Sequence, residues 1–233
     1  MRKCFLGAIA GLAMAGAGGS AQAVVINQGF ETGDFTGWTT IGAASVVDAS
    51  FGSGPAEGTF QALLSTGDGA VDVATLEAFL GVTAGTLAAL SGEDVLEGSA
   101  IQQTVTVAAG ETLSFDFNFL TDEIPAFDDV NDFSFAIVNS GFNILADTLD
   151  PLIPSPTIFV DETSFQTFLE GPFVFGDTFT LAFGVVDVDD TVVDSALLVD
   201  ASATAVPEPA TLGLLGIALV GMGVMARRRR SQV

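Results

Sequence analysis

The chain has no histidine and no tyrosine, a single cysteine, a single tryptophan and six basic residues among 233. Each shortage closes off some chemistry. Without histidine there is neither a Ser-His-Asp triad nor an imidazole-based zinc site. The one cysteine, Cys4, precedes the body of the chain, which therefore has no disulfide framework and no thiol nucleophile. The basic residues sit at the extremes: Arg2 and Lys3 at one end, Arg227, Arg228, Arg229 and Arg230 at the other. Of the 29 acidic residues only Glu208 lies outside 24–205, which leaves 28 carboxylates in that stretch and no cationic side chain.

Such a body repels nucleic acid and anionic headgroups, both of which are bound by neutralising phosphate with Lys or Arg. It makes no side-chain salt bridge of its own. Its charge is balanced by water, counterions or bound divalent cations, and Ca²⁺, with its preference for carboxylate oxygen, is the first candidate outside a cell. The alternative is that the acidity only keeps the protein soluble. An enzyme built on this chain would need carboxylates as both acid and base, as a glycoside hydrolase does. Trp38 is the sole large stacking aromatic besides Phe, so no catalytic residue is assigned.

The two ends are addresses. Arg2 and Lys3, an apolar core from Phe5 to about Ala17, and Ala21-Gln22-Ala23 form the three parts of a secretory leader, predicting removal of residues 1–23 by signal peptidase. At the other end, Val206-Pro207-Glu208-Pro209 precedes an uncharged apolar run, residues 210–226, and then the four arginines. At about 1.5 Å per residue the run reaches roughly 25 Å, the short end of a bilayer span. The arginines hold their end in the cytoplasm and leave the body outside.

That order of motif, span and arginine cluster resembles the PEP-CTERM sorting domain of Gram-negative bacteria. The resemblance implies an inner-membrane-anchored intermediate, processing by an exosortase, and a final place at the cell surface or in an exopolysaccharide-rich matrix or biofilm.

Between the ends, residues 24–205 form one domain of alternating pattern. Leu113, Phe115, Phe117 and Phe119 fall on one strand face, as do Phe133, Phe135 and Ile137, and Phe179, Leu181, Phe183 and Val185. Residues 101–107 lead through Ala108-Ala109-Gly110-Glu111 into the next strand, a hairpin signal. Further strands are expected over 38–41, 45–48, 60–64, 142–146, 164–169 and 197–201. Two stretches, 73–80 and 86–90, carry Ala, Leu and Glu at helical spacing, with Gly81 and Gly85 between them. The expectation is an all-β, jelly-roll-like antiparallel β-sandwich with a short helical insertion.

The segment Asn27-Gln28-Gly29-Phe30-Glu31, followed by Gly37-Trp38, resembles the opening of carbohydrate-binding-module jelly rolls, and Ser195-Ala196-Leu197-Leu198-Val199-Asp200 resembles their closing strand. The resemblance implies a structural calcium between Glu31 and Asp200, with backbone near Thr59 adding oxygens. Two further acidic groups are metal candidates by composition: Asp128, Asp129 and Asp132 on one loop, Asp187 and Asp189 on another. The leading expectation is an acidic, Ca²⁺-responsive matrix protein; non-catalytic binding of extracellular polysaccharide comes second and a carboxylate glycosidase third.

Overall fold

A computed structural model describes residues 24–123 and 130–202. The leader, Asp128 and Asp129, and the sorting tail lie outside the described residues. Among the described residues thirteen strands form: β1 (Thr39–Ile41), β2 (Ala43–Asp48), β3 (Phe60–Ser65), β4 (Val71–Asp72), β5 (Val95–Val107), β6 (Leu113–Thr121) and β7 (Phe133–Val138). The remainder are β8 (Gly141–Asp147), β9 (Ile153–Pro154), β10 (Asp161–Glu162), β11 (Gln166–Glu170), β12 (Asp177–Val188) and β13 (Ser195–Ala201). Helices α1 (Val73–Leu80) and α2 (Thr86–Ser91) lie where the helical spacing placed them. The expected β-sandwich with a helical insertion is what the chain forms.

Sheet one runs β1-β5-β12-β7-β8, with β4 also on β5; sheet two runs β2-β3-β13-β6-β10-β9, with β11 also on β6. Every pairing is antiparallel. The β5–β6 connection corrects the hairpin expectation: its two strands belong to different sheets, so residues 108–112 arch over the end of the sandwich. The Gly110 N–H donates to Phe173 O at 2.7 Å, so the arch is held by the β11–β12 loop instead of by a partner strand. The β7–β8 connection is a true hairpin, turned by Asn139 and Ser140 at φ 49° and 66°.

Between the sheets lies an aromatic core. Phe183 packs 4.8 Å from Phe115, ring centre to ring centre, and 6.3 Å from both Trp38 and Phe168. The outer faces are also covered. Leu76, Leu80 and Leu87 of the helices bury Phe133, Phe135, Ala182 and Val186 on sheet one. On sheet two, Phe159 covers Leu120, Ala196 and Leu198. The Glu77 carboxylate joins α1 to α2 by accepting the N–H groups of Gly85 and Leu87 at 2.8 and 2.9 Å.

Candidate functional site

Carboxylates gather at two places, one near each end of β13. At its C-terminal end Asp200 is completely buried. Its Oδ2 accepts the Glu57 N–H at 2.8 Å and its Oδ1 the Ala201 N–H at 2.7 Å. Burial pushes the carboxyl up to about 6, with the Glu57 charge adding to the rise, although backbone N–H groups oppose it.

Glu31 reaches the same loop from the other end of the domain. Phe30, buried against Phe35 and Trp38, anchors the turn that presents it. Glu31 Oε1 then accepts the N–H groups of Thr59 and Phe60 at 2.8 and 2.9 Å. The backbone at Thr59 thus offers Glu31 its donor and not its carbonyl. Gly58 is required for this approach: its φ is 71°, and a Cβ there would meet Glu31 Oε1 at 2.3 Å. A Cβ on Gly29 would lie 3.3 Å from Asp200 Oδ1 and 3.6 Å from Glu57 Oε2, so those two carboxylates border one small space. Glu57 was not among the expected residues. Its position between the Gly54-Pro55 turn and Gly58 offered no periodic signal.

The other end is built from a row across sheet one. Asp187 of β12 stands opposite Glu97 of β5, and Phe133 of β7 opposite Val186. One step before Phe133, Asp132 comes alongside Asp187. Side chains so placed share a face, with neighbouring Cβ atoms about 5 Å apart. The two acidic loops that composition separated therefore converge at Asp132 and Asp187.

Both of these carboxylates are fully buried, but they are not equally provided for. Asp132 accepts the Val188 N–H at 2.9 Å and the Ser195 hydroxyl at 2.6 Å. Among the described residues neither oxygen of Asp187 has an N–H or hydroxyl donor. It hydrogen-bonds the Asp132 carboxyl, and two carboxylates bond only when one holds a proton. Burial, then the charge and acceptor of Asp132, push Asp187 up to about 9. Burial raises Asp132 as well, opposed by its bonds from Ser195 and Val188.

Beside Glu97 opens a cavity of about 450 Å³ lined by Asp68, Asp194, Thr66 and Gly67 among others; Asp132 and Asp187 do not line it. Glu97 is raised by burial and by Asp194, and Asp194 by burial, Asp122 and Asp68. Asp189 is turned elsewhere: it is exposed, and its Oδ1 faces the Asp94 N–H at 3.3 Å. As placed, no three acidic side chains among the described residues stand close enough together to hold a metal ion. Trp38 is buried in the core and offers no surface for stacking a sugar.

Residues 205–230 match the PEP-CTERM protein-sorting motif. The motif implies sorting by an exosortase. It marks a secreted, membrane-processed surface protein of Gram-negative bacteria. No curated protein matches the chain. Among solved structures, the carbohydrate-binding module TmCBM61, in complex with β-1,4-galactotriose, is similar at a TM-score of 0.41 and 15% identity, over 78% of this chain and 96% of its own. CBM27-1 of Caldicellulosiruptor saccharolyticus, in complex with mannohexaose, is similar at 0.39 and 13%, over 75% and 92%. The K1 cleaved adhesin domain of Lys-gingipain from Porphyromonas gingivalis W83 is similar at 0.33 and 10%, over 74% and 95%. These are likenesses of fold.

Proposed function

We propose that the body of this PEP-CTERM protein is a non-catalytic structural domain of the extracellular matrix, its two chain ends clasped by calcium at Glu31, Glu57 and Asp200. The observation that carries the reading is the double grip on one loop. Glu31, near the start of the domain, takes the N–H groups of Thr59 and Phe60, while Asp200, in the last strand, takes that of Glu57. Asp200 and Glu57 border the space at Gly29 and Glu31 lies against Gly58 on the same loop, without a cationic side chain anywhere in the body. Calcium supplies the missing positive charge and accepts irregular oxygen geometry. The donor set fits such an ion because Asp200 and Glu57 already border the same space.

The test is thermal unfolding of the full-length protein in detergent, with calcium and then with chelator. The midpoint rises with calcium in the wild type, and Glu31→Gln or Asp200→Asn abolishes most of the rise. An equal midpoint in both media rejects the clasp. Sorting is tested apart from it: replacing Pro207 and Glu208 with Ala makes the uncleaved, membrane-held form accumulate, read by mass on a blot of cell fractions.

Carbohydrate recognition is the second reading, favoured by Phe175, an aromatic ring left 79% exposed beside Val174 on the β11–β12 loop. In a pull-down on a polysaccharide panel, retention lost in Phe175→Ala supports it, and no retention on any polysaccharide rejects it.

A further inference from the structure

We propose that the β11–β12 loop, with Val174 and Phe175 at its tip, rests in the bilayer interface for as long as the sorting tail is uncut. This reading rests on the tail being held in the membrane before processing, and not on the calcium clasp. It starts from where the body ends. β13 closes at Ala201, and Ser202, the last of the described residues, accepts the Ser114 hydroxyl at 2.8 Å. Ser114 stands opposite Leu169 of β11, the strand that runs on into the β11–β12 loop. The chain therefore leaves the sandwich at the end that carries this loop. From Ser202 to Ala210, where the apolar run begins, is eight residue steps. That tether spans at most about 29 Å when fully extended. The opposite end of the sandwich lies about 40 Å away along the twelve residues of β12. A tether that short brings the β11–β12 end to the bilayer first.

What that end presents fits a lipid surface. Phe173 is the anchor of the loop: its ring packs 5.5 Å from that of Phe179, its N–H donates to Glu111 O at 2.9 Å, and its carbonyl accepts the Gly110 N–H at 2.7 Å. On this fixed base Val174 and Phe175 are left 77% and 79% exposed. Leu169 on β11 and Val24, which bridges Thr106 of β5, are further exposed apolar residues at the same end. Two acids near the tip are turned back onto the backbone, Glu111 Oε2 accepting the Ala108 N–H and Asp177 Oδ1 the Thr178 N–H, each at 2.7 Å. The tip itself carries no charge. Apolar side chains gain by leaving water for the headgroup–acyl boundary. Because the body has no cationic side chain, the surface that suits it is zwitterionic lipid. A few apolar side chains hold a bilayer only weakly. The tether makes the contact intramolecular, at an effective concentration on the order of millimolar. Cutting the tail then frees the tip as well.

The experiment places full-length Phe175→Trp and full-length Val192→Trp in phosphatidylcholine vesicles with brominated acyl chains, which quench tryptophan on contact. Val192 is 83% exposed on the β12–β13 loop at the far end, and Trp38 is buried and gives both variants the same background. Both substitutions fall at exposed positions and spare the core. Compared with plain vesicles, Phe175→Trp loses most of its added emission and Val192→Trp loses none. Equal quenching of the two variants, or none in Phe175→Trp, overturns the proposal. Flotation of the vesicles checks the tail separately. Protein that floats with them while Phe175→Trp stays unquenched loses the tip and keeps the membrane-held tail; protein that does not float loses both. An emission shift of Phe175→Trp with soluble polysaccharide, without quenching by lipid, gives the ring to the carbohydrate reading and also overturns the proposal.

Discussion

Asp187 and Asp200 are the same residue type, both on long strands and both without solvent exposure, yet their surroundings differ. Asp200 accepts two N–H groups and rises only to about 6. Asp187 accepts none and rises to about 9. Ser195, which bonds Asp132, and Asp200 are five residue steps apart along β13, about 17 Å at strand rise. Burial alone thus does not set the state of a carboxyl; the donors facing it offset desolvation, and a neighbouring carboxylate such as Asp132 beside Asp187 adds to it. The Asp200 end is a closed grip that calcium would tighten. The Asp187 end is an unbalanced one that something must neutralise.

The largest expected effect serves as the reference for both ends. Phe183→Ala empties the aromatic core between them and costs about 3–5 kcal/mol in urea unfolding, by the same amount with calcium and with chelator. A cost that depended on calcium would mean the two ends are not separate from the core.

Asp200→Ala is next, at about 2–4 kcal/mol, because the N–H groups of Glu57 and Ala201 lose their acceptor. If urea unfolding shows less than half a kcal/mol, the grip on the 57–60 loop is not structural. Gly58→Ala follows at about 1–2 kcal/mol from its left-handed backbone, with an added loss of calcium response as Glu31 is pushed off.

The pH dependence is the most diagnostic. In chelator, a carboxyl whose folded pKa is raised holds a proton that the unfolded chain has released, so stability falls as pH rises between the two values. For Asp200 that window runs from 3.8 to about 6; for Asp187 it runs from 3.8 to about 9. Denaturant unfolding of the wild type therefore weakens steadily from pH 4 to 9. Asp187→Asn flattens the part above pH 6 and makes the lower part shallower, leaving there the share of Asp200. A slope above pH 6 that survives in Asp187→Asn breaks the contrast between the ends.

Much of the fold was legible because strand alternation and Phe placement report one buried face. The spacing of Leu76, Leu80 and Leu87 located both helices, and Leu113–Phe119 located β6. The two-residue strands β4, β9 and β10 were not legible, since a pair of residues carries no period. The β5–β6 arch was misread as a hairpin because a Gly-containing turn fits either connection, and only the neighbouring β11–β12 loop selects one. At the sites, the resemblance to carbohydrate-binding modules singled out Glu31 and Asp200, which the fold brings to one loop. Glu97 carried no signal, because its position comes from register and from the bulge after Asp187, neither of which is local. Asp132 and Asp187 were visible as acids but not as neighbours.

The central claim is that an all-acidic body takes up calcium where its carboxylates converge, and thermal unfolding of the full-length protein against rising calcium tests it most directly. The account predicts a midpoint that climbs with concentration, equivalent to about 2.7 kcal/mol once calcium reaches a hundredfold excess over Kd, and that returns to its starting value in chelator. A midpoint that stays level across the titration would contradict it and leave the acidity as a solubility device alone.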